Sequence, residues 1–303
     1  MAALVILAME NRLMRLKEFS KIVIPKIEQT LETELTNDVS LSTLREVMLY
    51  AVLAGGKRLR PMLSLAVLQT YGQPIDNYLK AASALELVHT YSLIHDDLPA
   101  MDDDELRRGK PTTHRAFGED MAILAGDALQ PLAFKWLTAA DQPLSDAQRV
   151  QLVTALANDS GGAGMVAGQV LDIEAMQKDV VTLSETQAIH YHKTSALIAY
   201  ALQAGAIMAN ADKEVQKILR DFGMAYGLAF QIKDDIDDYQ AGKVESQAYP
   251  TILGLPQTVL ALKTQVNNAN IALSQFEKAT GLDTTLLASF LDYFTETLEQ
   301  TWE

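Results

Sequence analysis

Cysteine is missing from all 303 residues of the chain. Its absence excludes disulfides, thiolate metal sites and a cysteine nucleophile at once, and it fits a reducing cytoplasm, the expected location. Aromatic residues are scarce, at 7%, and alternating runs of Val, Ile, Thr and aromatics are nearly absent, so there is little from which to build a sheet. No apolar run is long enough to span a bilayer. The opening "MAALVILAME" is apolar for eight residues, but it lacks a basic residue ahead of that run and a small-residue cleavage pattern behind it. Residues 1–9 are therefore expected to form a loose N-terminal extension. Positive charge is also short: 25 Lys and Arg stand against 39 Asp and Glu, a net charge of −14 spread along the whole chain. That balance argues against nucleic acid or an anionic membrane surface as the main partner. It leaves room for an anionic small molecule, because local charge within a Debye length outweighs the global sum.

What is present is hydrophobic residue, 49% against 21% charged, with no low-complexity tract, as in a compact folded protein. Ala and Leu recur at helical spacing throughout, so the chain reads as all-α. Capping boxes are expected at Ser145 with Gln148 and at Thr182 with Glu185. Breakers fall at Gly55–Gly56, Pro61, Gly72 with Pro74, Gly109 with Pro111, Asp141 to Pro143, Gly161–Gly162 and Gly242 to Pro250. They divide the chain into about ten or more helices. With no Pro, Gly or Ser linker between halves, residues 1–303 are expected to form a single domain, a large bundle of mostly antiparallel helices.

Charge is distributed unusually in two places. In "SLIHDDLPAMDDDELRRGKPTTH" six carboxylates occupy the ten residues 96–105 and are followed by Arg107, Arg108 and Lys110. The acidic run sits at the carboxyl end of the apolar stretch "LELVHTYSLI", where the helix dipole disfavours negative charge unless a cation neutralises it. In "QIKDDIDDYQ", Asp234 and Asp238 lie one helical turn apart and Asp235 lies three residues before Asp238, so like charges share a face. A single such cluster reads equally well as a solvated helix end. Two, each directly after an apolar helix, point to metal, and an oxygen-only donor set suits Mg2+ completed by water and substrate phosphate. The EF-hand spacing for calcium is missing.

"GGKRLRP" places Lys57, Arg58 and Arg60 after a double glycine and ahead of a proline suited to the first turn of a helix, which makes a diphosphate cradle. "LRRGKPT" adds a second cradle beside the first acidic run. Carboxylates that hold Mg2+ and guanidiniums that hold phosphate oxygens can share one ligand, a diphosphate.

With "LAGGKRLRP", "AILAGDAL", "GMVAGQVLDI", "HKTSALI", "AFQIKDDIDD" and "YPTILG" in order around these motifs, the chain resembles the trans-isoprenyl diphosphate synthases, and within them the bacterial short-chain type. The resemblance implies a helical bundle around a central cavity. It implies that Asp96 and Asp102 of the first motif and Asp234 of the second ligate Mg2+, with Asp97, Asp235 and Asp238 completing the clusters and three ions per site. It further implies that Lys193, Thr194, Gln231 and Arg107 hold an allylic diphosphate, and that Lys57, Arg60, His89 and Arg108 hold isopentenyl diphosphate. The implied activity is head-to-tail prenyl transfer to a fifteen-carbon product in a homodimer. Tyr91, five positions before Asp96, is expected to floor the pocket that receives the growing tail.

The chain departs from that pattern in "DDYQAGKVESQAYPTILG", which is shorter than the family's loop and has Ser246 near an expected Lys, and in Ser195, which follows Lys193–Thr194 where Gly is common. Lys243 stands in for one cation. The alternatives are a geranyl or geranylgeranyl product, a terpene cyclase, which would not need a second diphosphate cradle, and a non-catalytic subunit of a heteromeric prenyltransferase.

Overall fold

The computed structural model describes the backbone of residues 2–300 and the side chains of residues 15–300. The chain is helical almost throughout. In order it forms α1 (Ala2–Asp38), α2 (Ser42–Val52), α3 (Leu59–Thr70), α4 (Leu79–Asp96), α5 (Thr113–Phe117), α6 (Glu119–Thr138), α7 (Asp146–Ser160) and α8 (Met165–Met176). Then come α9 (Leu183–His190), a π-helical turn (Tyr191–Ser195), α10 (Ala196–Met208), α11 (Lys213–Gln240), α12 (Tyr249–Leu253), α13 (Leu255–Thr280), α14 (Thr285–Ala288) and α15 (Thr295–Glu299). Among the described residues the β-structure consists of one short hairpin, β1 (Leu106–Arg107) paired antiparallel with β2 (Lys110–Pro111).

Two compact units divide the chain. One comprises Phe19–Leu65 and Pro74–Val153, the other Met1–Glu18, Ala66–Gln73 and Thr154–Glu303. In the first, α4 is apolar on nearly every side and is buried from Ala81 through Val88, as a helix enclosed by neighbours must be. It lies against α6 so closely that a Cβ at Gly126 would run into the His95 ring. In the second, α10 is buried from Ala196 to Met208 except at Gln203, and α11 crosses it where Gly223 leaves room for the Ala199 backbone.

Local signals explain where the helices start and stop. Thr182 accepts from the Glu185 N–H while the Glu185 carboxylate answers the Thr182 N–H, a complete capping box. Ser145 and Gln148 exchange the same bonds at the start of α7. The expected breakers fall between helices, except Pro61 and Pro250, which lie in the first turns of α3 and α12 and cost no hydrogen bond there. The N-terminal extension differs from expectation: its backbone is helical from Ala2 onward, because Ala, Leu and Met are strong helix formers that propagate an existing helix. The side chains of that extension lie outside the described residues.

Candidate active site

In the first unit the apolar run of α4 ends at Asp96, and the chain then turns back on itself. The Asp102 N–H donates to the Asp96 carbonyl at 2.9 Å and the Met101 N–H to the Leu98 carbonyl at 2.9 Å. The backbone thus sets the first and last residues of the motif side by side, Asp96 partly exposed and Asp102 exposed. Asp97 turns inward: its side chain is 4% exposed, and its carboxylate accepts from Arg107 Nε at 2.9 Å and from the same guanidinium's Nη2. Arg107 also reaches Asp104 at 3.0 Å. Burial pushes the Asp97 carboxyl up, against the opposing pull of Arg107.

The hairpin that carries Arg107 turns through Arg108 and Gly109, both left-handed, at φ 55° and 77°, as a two-residue hairpin with the matching twist requires. Its tip brings the Arg108 guanidinium onto the double-glycine loop, where it donates to the Gly55 carbonyl. A Cβ on Gly56, whose φ is +122°, would lie 2.7 Å from Arg108 Cζ. "GGKRLRP" and "LRRGK" are therefore parts of one site.

Arg58 does not belong to the cradle in which its sequence neighbours would place it. Its side chain is fully buried and is paired with Glu86 at 2.8 Å and, more loosely, with Glu28 at 3.5 Å. Lys57 stays exposed. Burial drives Arg60 down to about 10, with Glu86 opposing and Arg108 adding to the shift. Its Nε is buried with no hydrogen-bond partner. His89 is pushed well below its usual range by burial and by Arg60, Arg108, Arg58 and Arg107 around it, so it is a neutral ring among four cations. An unsatisfied buried guanidinium N–H beside further arginines is what an anionic ligand would relieve. Tyr91, two residues further along α4, is 7% exposed and meets His95 edge-on at 5.8 Å.

In the second unit the π-helical turn carries Lys193 and Thr194. Two glycines let neighbouring helices close on it: a Cβ at Gly168 of α8 would run into the Lys193 backbone, and one at Gly227 of α11 would lie 2.6 Å from Ser195 Cα. One helical turn beyond each glycine, on the same face, stands the polar partner. Asp172 accepts from Lys193 Nζ at 2.6 Å, and Gln231 Oε1 accepts from Thr194 Oγ1 at 2.8 Å. Asp234 and Asp238 follow along α11, and Asp238 is met by Lys243 of the shortened loop at 3.1 Å. Asp235 faces elsewhere. Its side chain is 10% exposed, Oδ2 accepts the Tyr249 N–H at 2.9 Å, and His190 Nε2 lies 3.7 Å away. Burial pushes Asp235 up to about 7. Burial, aided by Lys193, drives His190 down to about 3.

Among the described residues no three His, Cys, Asp or Glu side chains form a ready-made metal cage. The donor set still fits Mg2+, which binds through one or two carboxylates and takes its remaining oxygens from water and phosphate. Each motif offers such a pair, Asp96 with Asp102 and Asp234 with Asp238.

Sequence reasoning missed Asp172, His190 and Tyr249. For Asp172 a signal existed: an acid in the apolar stretch "GMVAGQVLDI" has to find a partner when that helix packs, and the residue is 7% exposed. The pairing of His190 and Tyr249 with Asp235 joins segments distant in sequence and leaves no local trace.

Comparison with known proteins identifies relatives of the chain. The family model described as polyprenyl synthetase matches residues 41–247. The farnesyl diphosphate synthase of Bacillus subtilis (strain 168) is 43% identical over 75% of this chain and 81% of its own length. That of Escherichia coli (strain K12) is 44% identical over 82% and 87%. The crystal structure of an FPP/GFPP synthase from Zymomonas mobilis superposes with a TM-score of 0.82 at 35% identity, covering 92% of this chain and 98% of that one. With a family model spanning more than half its length and relatives above 40% identity over 75% and 82% of it, the chain belongs to the polyprenyl synthetase family.

Proposed function

We propose that the protein is a Mg2+-dependent prenyltransferase that condenses isopentenyl diphosphate with dimethylallyl or geranyl diphosphate to give farnesyl diphosphate. The observation that carries this reading is the cluster of Arg60, Arg108 and neutral His89, with the buried Arg60 Nε unsatisfied, in the same unit as the carboxylates of Asp96 and Asp102. That unit has charge of both signs arranged for a metal-bound diphosphate, and its second cradle suits a second diphosphate, which a cyclase would not need.

Asp96 and Asp102, and Asp234 with Asp238, would hold the Mg2+ ions, three in number by family likeness. The bound ions supply Lewis-acid stabilisation of the negative charge on the departing diphosphate. Lys193, held by Asp172, and Arg107, held by Asp97, would each add fixed positive charge to a diphosphate. The allylic C–O bond breaks with its electron pair going to diphosphate. Thr194 and Gln231 present oriented dipoles beside that diphosphate, while Lys57, Arg60, Arg108 and His89 hold isopentenyl diphosphate. The isopentenyl double bond attacks the allylic cation at close range, and a proton leaves to the released diphosphate. No nucleophilic side chain takes part, in accord with a chain that has no cysteine. The same reading makes the protein a cytoplasmic homodimer, a state that light scattering of the purified chain would measure.

The test is incubation of the purified protein with Mg2+, isopentenyl diphosphate and each allylic substrate, with the carbon number of the products determined. A fifteen-carbon product is expected, and Tyr91→Ala is expected to lengthen it. A longer product from the natural chain keeps the chemistry and discards Tyr91 as the floor. No product from a folded sample favours the non-catalytic subunit and points to the shortened loop.

A further inference from the structure

We infer that Asp235 is a positioning residue that ties the return of the 241–248 loop to the π-helical turn, and that it is not a metal ligand. The inference rests on the prenyltransferase reading for its kinetic part and on geometry alone for the rest.

The connections form one chain. Thr194 Oγ1 donates to Gln231 Oε1 at 2.8 Å. That bond leaves the Gln231 amide N–H groups to donate, and its side chain is hydrogen-bonded to Asp235. Asp235 Oδ2 in turn accepts the Tyr249 N–H at 2.9 Å, at the point where the loop re-enters the fold as α12. Three further contacts pin that same point. Thr186 Oγ1 donates to the Gln247 carbonyl at 2.8 Å, the His190 and Tyr249 rings stack at 5.4 Å, and Gln187 is hydrogen-bonded to the Tyr249 side chain. Between the end of α11 and this anchor, residues Ala241–Ser246 are exposed, and they carry Lys243 back to Asp238 at 3.1 Å.

Helical geometry explains the division of labour. Asp234 and Asp238 share a face of α11, whereas Asp235 is rotated about 100° from Asp234 toward α9 and α12. A carboxylate already committed to a backbone N–H and an amide N–H has little left to offer a cation. It instead fixes the Gln231 amide, and Gln231 fixes the Thr194 hydroxyl. The loop and the π-turn are thereby set together through one side chain.

The experiment compares Asp235→Asn, Asp235→Ala, Gln231→Ala, the Asp235→Ala/Gln231→Ala pair and Asp234→Asn for Mg2+ half-saturation, kcat and amide hydrogen exchange over residues 241–249. For Asp235→Ala we expect at least tenfold faster exchange at Tyr249 and in the loop, kcat lower by about tenfold, and Mg2+ half-saturation within twofold of the natural chain. In the Gln231→Ala background the kcat cost of Asp235→Ala should vanish. Asp235→Asn, which keeps one carbonyl acceptor, should retain protection of Tyr249, whereas Asp234→Asn should raise Mg2+ half-saturation without changing exchange. A fivefold rise in Mg2+ half-saturation for Asp235→Asn, unchanged exchange at Tyr249 in Asp235→Ala, or additive losses with Gln231→Ala would each overturn the inference. If the natural chain shows no turnover, the prenyltransferase reading fails, and the exchange data still decide the latch.

Discussion

The two acidic motifs look alike in sequence, yet the structure supports them by opposite means. The first stands on a turn and a hairpin, where left-handed residues and an ion pair shape the backbone. Arg58, Asp103 and Arg108, three of the four described non-glycine residues with positive φ, belong to that unit, and its inward aspartate is matched by a guanidinium. The second stands on the long continuous helix α11, wedged against a π-turn by glycines, and its inward aspartate is matched by a backbone N–H and an amide. One motif is held by charge and turn chemistry, the other by close packing. The difference teaches that one local spelling, two adjacent aspartates followed by a third, says nothing about what braces it.

The largest effect should be common to both motifs. Asp96→Asn and Asp234→Asn are each expected to lower kcat roughly a thousandfold, about 4 kcal/mol of transition-state stabilisation, read as isopentenyl diphosphate incorporation at saturating substrate. Should either variant retain near-full turnover, only one motif would be serving the metal. The glycines separate the two halves more sharply. Gly227→Ala forces a methyl into the Ser195 backbone and should cost about 2–3 kcal/mol in urea unfolding. Gly109→Ala meets open space at φ +77° and should cost only about 1 kcal/mol from strain. Equal costs would erase the distinction between a packed and a turned motif.

Asp97→Asn comes next, at about 1–2 kcal/mol. The loss stays below that of a fully buried pair because the Arg107 side chain is 34% exposed. A double-mutant cycle with Arg107→Ala should recover most of it as coupling, and additive losses would show that the pair is decorative.

The remaining effect is in pH. His89 is neutral in the fold and has an ordinary value near 6.5 when unfolded, so below that pH the unfolded chain takes up a proton that the native chain refuses. Its contribution to stability is therefore full above pH 6.5 and falls as the solution is acidified, by up to about 1.4 kcal/mol per pH unit. His89→Gln should flatten the dependence of unfolding free energy on pH between 6.5 and 5. Asp235 has the opposite sign: raised from 3.8 to about 7, it binds a proton in the fold first, and its term weakens stability as pH rises through that window.

Much of the helical framework was legible because it is written locally. The capping boxes at Ser145 and Thr182, the breaks at Gly55, Gly72 and Gly161, and the end of α4 at Asp96 each depend on a few neighbouring residues. The charged motifs within each unit were legible for the same reason. What was not legible depends on contacts between distant segments. Arg58 reads like its neighbours Lys57 and Arg60 until Glu86 is seen beside it. The π-turn at Tyr191–Ser195 has no spelling of its own and needs Gly168 and Gly227 on either side. The inward rotation of Asp97 and Asp235 follows from Arg107 and Tyr249, which the chain brings back from further along.

Arg108 occupies a backbone conformation that glycine would take at no steric cost, and there it disfavours the fold by about 1–2 kcal/mol. Arg108→Gly should therefore make the protein harder to melt while removing a cation from the proposed diphosphate cradle. A library of variants screened for heat resistance alone would enrich that exchange and discard a cation of the proposed cradle. Selection for turnover would restore the arginine. The hairpin tip is a place where two pressures on one codon pull in opposite directions, and the residue found there records which of them prevailed.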